Sequence, residues 1–110
     1  YPRVSVYSST NLVQVFSMRK STMNFLHSQF DGGTDSIAEI TLDSQANVML
    51  LDETNFRSYQ RGSTFRYIGG WAKQSPVRLS PSHHGHWHIV VDLGGYSGQV
   101  RAGIRVFQHN

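Results

Sequence analysis

The chain has no cysteine in its 110 residues. Disulfide bridges and thiolate metal sites are therefore excluded, which suits a reducing compartment. Charge is sparse as well, at 15% of residues, with a formal excess of +3. A strongly basic nucleic-acid binder carries more than this, so nucleic acid is weakly supported as a partner. No apolar run approaches the roughly 18 residues of a membrane-crossing helix. Residues 1–22 contain no acidic side chain and only short apolar runs, none with the flanks of a signal-peptide core. There is no internal repeat and no low-complexity tract. The length fits one domain with a core that needs no staples.

What is present points to strands. Ten glycines and many β-branched and aromatic residues favour an all-β fold. From His86 to Leu93 the chain alternates: Trp87, Ile89, Val91 and Leu93 on one face, His86, His88, Val90 and Asp92 on the other. From Gln99 to Phe107, Val100, Ala102, Ile104 and Val106 alternate with Arg101, Gly103, Arg105 and Phe107. Gly94-Gly95-Tyr96-Ser97-Gly98 between them reads as a hairpin loop. Two registers keep both apolar sets on one face. One pairs Asp92 with Arg101 and His88 with Arg105; the other pairs Val90 with Arg101 and His86 with Arg105. Either joins His86, His88, Arg101 and Arg105 on a polar face.

Upstream, Met23 to Phe30 reads as a strand with imperfect alternation, Phe25 and His27 opposite Leu26 and Phe30. Ala38, Ile40 and Leu42 form the inward face of another. ANVMLL at 46–51 is the central strand, buried on both sides. Phe56 and Tyr59 are three apart, Asp52 or Thr54 suits a helix start, and Gly62 suits its end, so 52–62 reads as a short helix. A further strand spans Thr64 to Trp71, broken or bulged at Gly69-Gly70. A short one follows Pro76, which fits a strand start or sheet edge. The expected fold is a single-domain antiparallel β-sandwich, jelly-roll-like, or a barrel with one short helix.

From Met23 onward the chain resembles the DUF1883 family of small bacterial proteins. The resemblance is carried by MNFLH at 23–27, NVMLLDETNFRSYQRG at 47–62, YIGG at 67–70, SPVRL at 75–79 and GHWHIVVDLGGYSGQVRAGIRV at 85–106. It implies a bacterial, cytoplasmic, mostly-β domain, and related copies joined to TIR domains suggest a recognition or regulatory module. The family brings no catalytic residue set. Residues 1–22 are expected to lie outside the family core as an N-terminal extension, with 23–110 as the β domain.

Two constellations carry chemistry. His83, His84, His86 and His88 fall within six residues. His86 and His88 are two apart on one strand, about 6–7 Å at Cα, a spacing that suits two imidazole ligands to Zn, Ni or Fe. The third ligand is open among His83, His84 and a carboxylate. Asp92 is about 13 Å from His88, too far to share an ion, and His27 approaches only if its strand lies beside this one. The second constellation is arginine: Arg101 and Arg105 with His86 and His88, Arg57 and Arg61 four apart on the helix, and Trp71 as a surface anchor. The expectation is a non-catalytic binding or regulatory module that recognises an anionic ligand or a protein partner and needs no cofactor. The alternatives are a small metal-dependent enzyme with a His-rich site, and a structural domain that self-associates as a homodimer.

Overall fold

A computed structural model describes residues 4–5, 13–18, 25–96 and 98–108. Two antiparallel sheets face one another. The first contains β1 (Val4–Ser5), β2 (Val13–Met18), β4 (Ser36–Leu42), β7 (Val77–Leu79) and β9 (Gly98–Gln108), ordered β1-β9-β4-β7 with β2 also on β9. The second contains β3 (Leu26–Gly32), β5 (Ala46–Asp52), β6 (Ile68–Ala72) and β8 (Gly85–Asp92), ordered β3-β8-β5-β6. The sheets remain separate, so the fold is a sandwich and not a barrel. Residues 4–5 and 13–18, which precede Met23, pair with β9 as strands.

The core lies where the alternating faces meet. Ala38, Ile40, Leu42, Val100, Ala102, Ile104 and Val106 from the first sheet pack against Leu26, Phe30, Val48, Leu50, Trp87, Ile89 and Val91 from the second. The outer face of the second sheet is covered too. There α1 (Glu53–Arg61) lays Phe56 and Tyr59 over Met49, Leu51 and Val90, with Phe25 and Phe65 at the margin. This second layer explains why ANVMLL is apolar on both faces.

Local chemistry sets the helix where the sequence predicts it. Asp52 caps the start by accepting from Asn55 N–H at 2.9 Å. Gly62 ends it at φ 75°, its N–H directed to the Ser58 and Tyr59 carbonyls. Glu53 in the first turn and Arg61 in the last complement the helix dipole.

The expected β8–β9 hairpin does not form. β8 pairs with β3 and β5, β9 pairs with β4, β1 and β2, and the two strands lie in different sheets. Neither predicted register exists. The connection after Leu93 is long enough to cross the roughly 10 Å between packed sheets. Inward-facing apolar sets satisfy the same parity when they meet across the core as when they sit side by side.

The strand expected over Thr64–Trp71 is also shorter, beginning at Ile68. Phe65 instead packs beside α1, and Arg66 N–H donates to Asn55 Oδ1 at 2.7 Å. Within β6, Gly69 has φ 120°, and a Cβ there would run into the Val48 carbonyl oxygen, whereas a Cβ on Gly70 meets nothing within 4 Å. Gly69→Ala is expected to lower stability by about 1–3 kcal/mol. Urea midpoints of Gly69→Ala and Gly70→Ala check this: equal midpoints would show that the contact with Val48 is not the cause.

Candidate metal centre

The outward face of β8 presents His86, His88, Val90 and Asp92 in order, as the alternation requires. Only its His86 end reaches solvent. His88, Val90 and Asp92 are 3%, 0% and 5% exposed, because α1 crosses over them. The polar face expected from the sequence is thus mostly an interior one.

Two hydrogen-bonded chains start from the histidines of β8. In the first, His88 lies between His27 and Glu53. His27 Nε2 is 2.7 Å from His88 Nδ1, and His88 Nε2 is 2.6 Å from Glu53 Oε1. Pairing of β3 with β8 supplies the first contact, and the opening residue of α1 supplies the second. The Phe56 ring stacks over both imidazoles, 4.0 Å from His88 and 4.5 Å from His27. In the second chain, His86 Nδ1 is 2.7 Å from Asp31 Oδ1, its cross-strand partner, and Nε2 is 2.8 Å from Gln29 Oε1.

The protonation states follow from which atoms can donate. Hydrogen bonds from His88 and then Arg57 hold the Glu53 carboxyl down at about 2, so it is ionised and only accepts. His88 Nε2 therefore carries a proton in this contact. Burial, then the neighbouring His88, pushes His27 below the usual imidazole range, with Glu53 partly opposing. His27 is accordingly neutral at neutral pH. Asp31 orders His86 in the same way, accepting from Nδ1–H, while Nε2 faces the Gln29 amide oxygen.

The metal-ligating atoms of Glu53, His86 and His88 lie within 4.8 Å of one another. Ligand bonds of about 2.0–2.2 Å to a tetrahedral ion separate ligand atoms by about 3.3–3.6 Å. Reaching that spacing, which includes opening the 2.6 Å His88–Glu53 contact, falls to Glu53 and His86, whose side chains are 43% and 38% exposed, while buried His88 stays fixed. Each histidine also has a partner for its other nitrogen, Asp31 for His86 and His27 for His88. Such outer partners orient imidazole ligands in metal sites.

The other sequence candidates go elsewhere. His83 packs against the Trp87 ring at 4.9 Å and lies 3.7 Å from Asp52. His84 lies beside Gly33 and lines a hollow with Asp31 and Asp35. Neither belongs to the three-residue group. Arg57 pairs with Glu53 at 2.8 Å, and Arg61 donates to Ser58 Oγ at 3.3 Å. Trp71 is half-exposed, donates to Gln45 and meets the Tyr96 ring edge-on. Arg101 and Arg105 line a groove of about 480 Å³ with Glu39, Thr41 and Asp43 on the outer face of the first sheet. They are separated from His86 and His88 by the whole sandwich, so the expected His–Arg face is not assembled. Arg105 and Arg78 both pair with Glu39, and Asp43 accepts from the Arg101 backbone N–H.

Glu53, Asp31 and Gln29 were not singled out in the sequence. Val90 is one signal, with Met49 and Leu51: an apolar β-branched residue amid His86, His88 and Asp92 marks a face that something covers. Among the described residues, no helix is long and apolar enough to cross a membrane. No curated protein and no solved structure matches the chain. The family model for a domain of unknown function, DUF1883, matches residues 23–110, which include every residue of this centre, and the chain belongs to that family.

Proposed function

We propose that this domain is a metal-binding module that holds a divalent ion, zinc foremost, on Glu53, His86 and His88. The observation that carries the reading is the convergence of these three ligand atoms within 4.8 Å on residues from two separate elements. Two imidazoles and one carboxylate are a donor set for zinc, and also for non-haem iron. On binding, the ion replaces the proton on His88 Nε2. His88 Nδ1–H would then donate to His27 Nε2, with the proton that His27 now holds on Nε2 moving to its own Nδ1. His86 would keep its Nδ1–H on Asp31 and offer Nε2 once Gln29 turns away from it.

The anion-binding reading has less support. Its four-residue face is divided, and in the remaining groove Glu39 already neutralises arginine charge. A ligand-recognition role remains compatible with a metal centre, because three protein ligands leave coordination open.

The test is metal content by mass spectrometry on untagged full-length chain purified without chelator. About one zinc or iron per chain is expected, falling to background in His86→Ala. A chain that stays empty after dialysis against micromolar zinc overturns the reading.

A further inference from the structure

The surroundings of this centre suggest what its open side takes. His88 is buried beneath Phe56, whereas Glu53 and His86 form the solvent side. An ion on these three residues therefore turns its remaining positions outward. Arg57 stands beside that opening. It is one turn after Glu53 on α1, its side chain is 66% exposed, and its Nε donates to Glu53 Oε2 at 2.8 Å. Glu53 Oε1 is the atom that faces His88. One carboxylate thus offers Oε1 to the ion while Oε2 anchors the guanidinium alongside.

We infer that the ion's open position and Arg57 together form a binding site for an oxyanion group, phosphate or carboxylate. This rests on the metal centre proposed above. One oxygen of the anion ligates the ion and a second accepts from the Nη groups of Arg57, which suit paired oxyanion oxygens. The charges favour it: a divalent cation and a guanidinium face Glu53 and Asp31, and Asp31 is bonded to His86 Nδ1 on the far side of the ring. The charged residue pair at the start of α1, which looks like an ordinary i,i+4 surface pair, then has a recognition role. Exposed pairs of that kind stabilise helices little.

Cobalt(II) is the probe, because its visible absorption reports ligand changes. The full chain is loaded with one equivalent of cobalt and titrated separately with inorganic phosphate and with acetate. A saturable spectral change is expected with at least one of them, and the responding anion identifies the source. Arg57→Gln is expected to bind cobalt more weakly, because Glu53 loses a partner, and, when compared at saturating cobalt, to weaken the anion about tenfold or more, the loss of hydrogen bonds to a charged group. A cobalt spectrum that neither anion alters, or equal anion affinity in Arg57→Gln, overturns this site while leaving the metal centre standing. Failure to bind cobalt or zinc overturns both.

Discussion

Asp92→Ala is expected to lower stability by about 3–5 kcal/mol. Asp92 is 5% exposed, and its carboxylate accepts from three donors: Tyr59 O–H at 2.7 Å, Asn47 Nδ2 at 3.1 Å and Gly94 N–H at 2.9 Å. These donors come from the helix, the neighbouring strand and the turn after β8. Removing the carboxylate leaves all three without their acceptor; the Tyr59 hydroxyl is buried there, while the Asn47 and Gly94 contacts are partly buried. Tyr59 is the critical one. Burial and then the bond to Asp92 push its hydroxyl well above the usual phenol range, so it stays protonated and donating. Tyr59→Phe should cost less, about 1–3 kcal/mol, since two donors still hold the carboxylate. Urea denaturation checks both. The contrast is with Arg101→Ala, expected within about 0.5 kcal/mol of wild type because that side chain is exposed. Were Asp92 and Arg101 a cross-strand pair, the two substitutions would cost alike and a double-mutant cycle would couple them. Comparable small losses would refute the buried-acceptor role of Asp92.

That comparison shows where the sequence is legible. Parity correctly assigns the inward faces of β4, β8 and β9, and of the two start caps the sequence offers for α1, Asp52 is the one used, with Gly62 at the end. Parity states which side of a strand is buried, not which strand lies beside it. Val100, Ala102, Ile104 and Val106 meet the apolar face of β8 across the core, and the same alternation is equally consistent with a hairpin. The loop after Leu93 permits both.

The candidate centre has the same limit. His86 and His88 are visible as a pair because they are neighbours on one strand. His27 is visible only conditionally: its parity places it opposite Leu26 and Phe30, and it meets His88 because β3 lies beside β8. Glu53 reaches His88 from 35 residues away, through a helix that folds back over the sheet. No local pattern reports that return. Its indirect signs were the apolar residues on outer faces, Met49, Leu51 and Val90, which need a cover and receive one from Phe56 and Tyr59.

Zinc at a hundredfold excess over its dissociation constant is expected to stabilise the folded chain by about 2.7 kcal/mol, because it binds the folded site and not the open chain. For a domain of this size the rise in Tm is roughly 10–20 °C. The size of the shift tests binding; the mutants test the ligand set. His86→Ala and Glu53→Gln should remove most of the rise. His83→Ala and His84→Ala should retain it, since these side chains turn to Trp87 and to Gly33 instead. His88→Ala removes a buried ring from beneath Phe56 and destabilises the fold without metal, so its own metal-free Tm is the baseline. His27→Gln gives an intermediate result: the ligands remain, but His88 loses the partner that orients it, and outer-partner losses weaken metal affinity about 10–100-fold. Differential scanning calorimetry with and without zinc reads the wild type and all six variants. If His83→Ala or His84→Ala abolishes the shift while Glu53→Gln preserves it, the ion is held by the histidine-rich loop and not where α1 meets the sheet.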